Sequence, residues 1–197
     1  MEEAKNKSTI QPSTKFETKR LLLRKYENND GKALFDLLER NDNRNFLKEH
    51  VDEATDVKSL KDADDKVKQY SQFWESRVRF IIGIWLKETN NYIGNIWIEP
   101  KKWEVPSFEL GYYLDQGYTR KGLALEATKR AVKFIFEELH AYKIIIITRD
   151  NNERSYRLAE RLHFIKEGHL RETNIENNRR FGLIYYGLLK DEYKEFY

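Results

Sequence analysis

The rhythm of hydrophobic and polar positions divides the chain into successive elements. Leu21–Lys25 is a short aliphatic run after a charged lead and reads as a first strand. Asp30 stands as an N-cap ahead of Ala33, Leu34, Leu37 and Leu38, which share one helical face. Residues 48–76 are charge-rich. Val57, Leu60, Val67, Tyr70 and Trp74 still recur there at roughly helical spacing, so an amphipathic helix covers part of the region. Arg79–Lys87 and Tyr92–Glu99 are rich in β-formers, and Glu88–Asn91 joins them as a hairpin. Lys101–Pro106 reads as a second turn and Ser107–Leu114 as the third strand of a meander.

The pattern then changes period. Between Gly122 and His140, Leu123, Ala127, Ala131, Phe134 and Ile135 follow helical spacing. Lys143–Thr148 is a β-branched run, typical of a strand buried on both faces. Residues 152–162 form a short helix, and Phe164–Arg171 and Phe181–Leu189 are two further strands. The helix between Leu114 and Lys143 permits a parallel crossover. The predicted class is α/β (α+β): a mixed, mostly antiparallel sheet of about seven strands flanked by about four helices. No long-period repeat or Pro/Gly/Ser linker interrupts residues 16–197, which read as one domain; polar residues 1–15 read as a frayed segment.

Composition narrows the options. With 197 residues, 40% hydrophobic, 12 Tyr, 11 Phe and 4 Trp, the chain can bury a real core. Its apolar runs fall short of the ~18 residues of a membrane helix, and residues 1–15 lack the apolar centre of a signal peptide. Cysteine is absent, which excludes disulfides, thiolate metal sites and a Cys nucleophile and fits a cytoplasmic protein. The net charge of +3 is small beside 36 basic and 33 acidic residues. The basic pairs Lys101-Lys102, Arg120-Lys121 and Arg179-Arg180 are too short to make a nucleic-acid stripe. Neither a membrane nor a nucleic acid is an expected partner.

The chemistry concentrates after Phe108. A strand ending Tyr112-Tyr113-Leu114 runs into Thr119-Arg120-Lys121-Gly122-Leu123-Ala124, and a helix opens from that turn. Gly122 lets the backbone approach a ligand. The helix start directs free N–H groups and partial positive charge at it. Arg120 and Lys121 add charge for outer phosphates, and an uncharged cofactor arm can lie along the strand. Read alone, the segment is also a plain surface turn, and Tyr112 a plain β-former. Ser155 falls on the inward face with Leu158, Ala159 and Leu162, where a hydroxyl needs a partner. It suits a donor to a leaving group or a bond within the first turn; Asn152 suits either a ligand contact or the N-cap of this helix.

These residues resemble the GNAT superfamily of acyl-CoA N-acyltransferases, and within it the RimJ/RimL-like branch. Arg120-Lys-Gly-Leu-Ala124 matches the last five positions of the Gln/Arg-x-x-Gly-x-Gly/Ala motif, with Thr119 where Gln or Arg is usual. Asn152-Glu-Arg-Ser155 and Leu162-His-Phe164 resemble the branch's Asn-x-x-Ser…Gly-Phe motif, with His163 in place of Gly. Glu17–Arg24 looks like its opening strand and Ile184–Leu189 like its closing one, where an Asp often found is absent and Gly182 stands nearby. The resemblance spans about residues 16–193, in order.

The resemblance implies acetyl-CoA as co-substrate, no metal, and direct acetyl transfer to an amine. Its cofactor contacts map to Tyr112, Tyr113, Leu114, Thr119, Arg120, Lys121, Gly122, Leu123, Ala124, Asn152 and Ser155. Ser155 is the expected donor to the leaving thiolate. Glu109 is the expected base, with a buried or cleft position raising its pKa toward neutrality; Glu99 is the reserve. His140 and His163 read as structural, and His50 and His169 carry no signal. Trp97 reads as core and Asp62–Asp65 as a solvated helix face. The leading acceptor is a protein N-terminal amine, shaped by residues 30–76 and 170–182. A small amine such as a polyamine or aminoglycoside, a non-catalytic acyl-CoA-binding module and a ribosome-associated protein are the alternatives. GNAT proteins often dimerise, so a homodimer is allowed.

Overall fold

The structure is a computed structural model that describes residues 10–48, 51 and 55–196. Eight strands lie in the order β1-β2-β3-β4-β5-β6-β8-β7, one more than expected because Lys15–Glu17 (β1) pairs with Leu21–Lys25 (β2). The helices among the described residues are α1 (Gly31–Glu39), α2 (Asn43–Lys48), α3 (Leu60–Ser76), α4 (Leu123–Glu137), α5 (Glu153–Arg161) and α6 (Lys190–Phe196). The sheet is mixed and mostly antiparallel, as its strand rhythm predicts; β5 (Ser107–Leu114) and β6 (Lys143–Arg149) are its parallel pair. Most of the frayed segment, residues 1–9, lies outside the described residues, as does His50; Ile10 is buried.

The described residues form two compact units. One holds residues 11–99 and 112–131. In it β2 pairs with β3 (Phe80–Leu86), and β3 with β4 (Tyr92–Lys102). Leu34, Leu37 and Leu38 of α1 and Val67 of α3 are almost fully buried beside Tyr26, Trp85 and Tyr92. Asp30 occupies the N-cap position of α1 without capping it. Its carboxylate instead accepts from both Arg24 guanidinium nitrogens, at 2.7 and 2.9 Å. α3 starts at Ser59, whose Oγ accepts from the Asp62 N–H at 3.2 Å, while Asp62 Oδ2 accepts from the Lys58 N–H at 3.0 Å. The cap therefore excludes Val57 from the helix, and Leu60 at its first position is exposed. Trp97 packs partly buried against the same core.

The other unit holds residues 100–111 and 132 onward. β6 pairs antiparallel with β8 (Arg179–Leu189) along its whole length, and β8 with β7 (Ile165–Glu176). Two-sided burial of β6 does not hold: Ile144, Ile146 and Thr148 are buried, whereas Ile145 and Ile147 are half-buried. β-branched residues favour any pleated strand, so four consecutive Ile did not report two covered faces. β7 is exposed almost throughout.

Candidate active site

β5 delivers the chain into the basic glycine turn, and the entry to that turn is fixed by residues far away in sequence. The Asp115 side chain is wholly buried. Its Oδ2 accepts from Arg40 Nε at 2.6 Å, and its Oδ1 from Asn41 Nδ2 at 3.0 Å and the Gly117 N–H at 2.8 Å. Asn43 Oδ1 accepts from the Gln116 N–H at 2.7 Å. Burial pushes the Asp115 carboxyl up, but these donors, Arg40 first, outweigh it and hold it below the ordinary range.

A one-turn 3-10 helix, Gln116–Tyr118, follows. The Thr119 hydroxyl donates to the Gln116 carbonyl at 2.8 Å, so this side chain closes the turn itself. Arg120 (φ 61°) and Gly122 (φ 74°) are left-handed, with Lys121 between them not so. Such alternation turns backbone N–H groups into one concavity, an anion-binding nest. A Cβ at 122 would meet only Arg20, at 3.6 Å, so conformation rather than space calls for glycine there. α4 begins at Leu123, and its first-turn N–H groups have no partner within the helix. Leu123 is buried and Ala124 half-buried.

The exit of the turn is fixed too. Glu126 accepts from the Thr18 hydroxyl at 2.5 Å, the Arg20 N–H at 2.9 Å and Arg20 Nε at 2.6 Å. Arg20 Nη1 also donates to the Lys121 carbonyl at 3.0 Å. Burial raises the Glu126 carboxyl, yet the Thr18 and Arg20 donors bring it below its usual value. Lys121 folds back, its Nζ donating to the Gly117 carbonyl at 2.9 Å. Arg120 is exposed and has no hydrogen bond or ion pair among the described residues. Upstream, Tyr113 and Leu114 are buried. The Tyr113 hydroxyl meets those of Tyr92 at 3.1 Å and, through Tyr92, Tyr26 at 2.6 Å. Burial pushes the Tyr113 phenol up to about 12. These two side chains belong to the core, and that of Tyr112 is half-buried.

In the other unit, Asn152 caps α5, its Oδ1 accepting from the Ser155 N–H at 3.2 Å. Ser155 is half-buried, and its hydroxyl has no partner among the described residues. Glu109 pairs with Lys101 at 3.0 Å and Glu99 with Arg79 at 2.6 Å. His163 (φ 61°) follows the end of α5, and His140 (φ 54°) is exposed. The structure thus joins Asn152 to Ser155 and makes Thr119–Ala124 a single turn. Sequence reading missed Asp115, Glu126 and their partners, although an acid before Gln-Gly and an acid in a first helical turn are both local signals. It also missed that His169 Nε2 lies 2.9 Å from Asp150 Oδ2. No helix among the described residues is long and apolar enough to cross a membrane.

Known proteins resemble this chain in sequence and in fold. The acetyltransferase (GNAT) domain family matches residues 20–165. An uncharacterized N-acetyltransferase of Bacillus subtilis (strain 168), YnaD, is 24% identical over 89% of this chain and 97% of its own. The ribosomal protein uS5-alanine N-acetyltransferase of Escherichia coli (strain K12) is 26% identical over 82% of this chain and 83% of its own. Among solved structures, RimL, a ribosomal L7/L12 α-N-protein acetyltransferase in complex with coenzyme A, superposes with a TM-score of 0.79 at 19% identity. It covers 89% of this chain and 97% of that one. GNAT acetyltransferases use acetyl-CoA. With its motifs in register and the family match covering most of its length, the chain belongs to the GNAT acetyltransferase family and is an N-acetyltransferase with RimL-like relatives.

Proposed function

We propose that this protein moves an acetyl group from acetyl-CoA directly to a primary amine, with a protein N-terminal amine as the leading acceptor. The observation that carries the reading is the turn Thr119–Ala124: two left-handed residues, Arg120 and Gly122, at the open N-terminus of the 15-residue α4. Its N–H groups fit a diphosphate. Arg120, without another partner, suits an outer phosphate, and the β5 backbone at Tyr112–Leu114 suits the uncharged arm. Thr119 keeps the turn closed rather than reaching outward. Asn152 and Ser155 serve the thioester end, with the Ser155 hydroxyl donating to the departing thiolate. Glu109, held by Lys101, is the carboxylate candidate for the base. In this reading the reaction runs in the cytoplasm and needs no metal, and residues 16–197 act as one catalytic domain.

The protein-terminus reading draws on the ribosomal-protein acetyltransferases among the relatives. Asp62 is engaged in the α3 cap and Asp65 with Lys68 at 3.4 Å, so Asp62–Asp65 gives a polyamine no special support. The test has two stages. Acetyl-CoA and CoA, but not ATP or NAD, should raise the melting temperature; a ligand at 100 times its dissociation constant adds about 2.7 kcal/mol. Thiol release is then followed with peptides bearing free or blocked N-termini, and with spermidine. Turnover confined to free α-amines sustains the protein-terminus reading. Turnover confined to spermidine replaces it, and CoA binding without turnover leaves only a binding module.

A further inference from the structure

β7 starts in phase with β8, Ile165 against Gly187 and Lys166 against Tyr186. Glu167 is then an extra residue, and pairing resumes with Gly168 against Tyr185 and His169 against Ile184. One extra residue exchanges the two sides of a strand. Had the pairing run on from Lys166 with Glu167 opposite Tyr185, His169 would stand opposite Leu183, on the side of Tyr185. With the extra residue, His169 lies on the side of Ile184 and Tyr186, which β6 continues through Ile146 and Thr148. Asp150, one residue past β6, meets His169 there, Oδ2 to Nε2 at 2.9 Å. Gly182 provides the room: a Cβ on it would lie 2.5 Å from Asp150 Oδ2, 2.7 Å from His169 Nε2 and 2.6 Å from the Leu170 carbonyl. The Asp150 N–H donates to the Gly182 carbonyl at 3.0 Å, which fixes the carboxylate's loop.

A neutral imidazole that donates from Nε2 keeps a lone pair on Nδ1. That nitrogen has no partner among the described residues, and the side chains of His169 and Asp150 keep 32% and 28% of their surface exposed. The loop that carries Asp150 also carries the cap Asn152 and then Ser155, whose hydroxyl is unpartnered. We propose that His169, oriented by Asp150, is the base that takes a proton from the acceptor amine. This rests on the acetyl-transfer reading above and gives the proton-accepting role to His169 rather than Glu109. The ammonium loses one proton to Nδ1. Its nitrogen lone pair attacks the thioester carbonyl carbon and the C–N bond forms. The C–S bond then breaks, its electron pair leaves on sulfur, and the second amine proton goes to that thiolate through the Ser155 hydroxyl. His169 returns its proton to solvent.

The charged groups around His169 are few. The loop after β6 contributes Asp150, and β6 itself Arg149, which is held by Glu176 at 2.5 and 3.2 Å. β8 contributes none at Gly182 and Ile184. On β7 itself Glu167 is tied to Lys143 at 2.6 Å, with Arg171 further along. α5, joined to this side through the Tyr186 hydroxyl on Glu160 at 2.9 Å, carries Glu153, paired with Arg157 at 2.5 Å, and Arg154.

The experiment compares the full chain with His169→Gln and Asp150→Asn, using acetyl-CoA, a free-N-terminus peptide, thiol release, pH 5.5 to 9 and melting temperatures with CoA. The proposal expects His169→Gln to lower kcat about 100-fold, to abolish the limb on which the rate rises with pH, and to leave the CoA-induced melting shift unchanged. Asp150→Asn should lose about tenfold. If His169→Gln stays within threefold of wild type with the same pH profile, the pair is structural and the proposal fails alone. If wild type neither binds CoA nor releases thiol with any amine, the acetyl-transfer reading fails and takes the proposal with it.

Discussion

The turn into α4 and the hairpin of β7 and β8 both hold backbone in an uncommon arrangement, by opposite means. The turn is fixed by carboxylates from within and cations from afar: Asp115 on Arg40, Glu126 on Arg20. The hairpin is fixed by its ladder to β8, whose register shifts at Glu167 and again between Leu170 and Asn174, and by the absence of a side chain at Gly182. The turn is therefore sensitive to charge and the hairpin to volume.

The largest expected effect breaks the turn. Asp115→Ala leaves Arg40 without its buried partner and should cost about 3 kcal/mol in urea unfolding, with the CoA-induced melting shift abolished. A variant that keeps the shift would show that the turn does not depend on this ion pair. Next, Ser155→Ala should lower kcat about 100-fold and leave stability within about 0.5 kcal/mol, because its hydroxyl has no bond among the described residues. Gly182→Ala drives a methyl between Asp150 and His169 and should cost about 1–2 kcal/mol, with reduced kcat and an intact CoA shift. An equal loss of CoA binding there would dissolve the contrast between the two regions.

Acid gives a smaller test. Both turn carboxyls sit below their ordinary values, about 3.9 for Asp and 4.3 for Glu. A depressed folded value means that their stabilisation is complete above those figures and is lost as pH falls through the lowered ones. Stability should hold between pH 7 and 5 and decline below about pH 4, less steeply in Asp115→Asn. The smallest effect belongs to Arg120→Ala: stability unchanged within about 0.5 kcal/mol, but several-fold weaker CoA binding by titration. Unchanged binding would remove Arg120 from the phosphate site.

The sequence revealed what depends on near neighbours. The core stripe Leu123, Ala127, Ala131, Phe134 and Ile135 is buried throughout, and β2 and β5 have their expected bounds. The glycine turn opens a helix where the residue types require it, and Asn152 caps α5. What stayed hidden depends on pairs separated by long stretches of chain: Arg40 with Asp115, Thr18 and Arg20 with Glu126, His169 with Asp150. A periodicity reports which face is apolar, not which distant charge will arrive there. It is blind to strand phase as well. His169 reads as one more polar residue on an exposed strand until the pairing with β8 shows which side it takes.

The extra residue at Glu167 lets one strand present two phases to a single partner. Lys166 and His169, three residues apart, stand on the same side of the sheet, opposite Tyr186 and Ile184. Most side chains of β7 lie in solvent, so single replacements along it should be tolerated widely. Deleting Glu167 would join those two stretches into one regular ladder with His169 still opposite Ile184, so the His169–Asp150 pair should outlast the loss of the bulge.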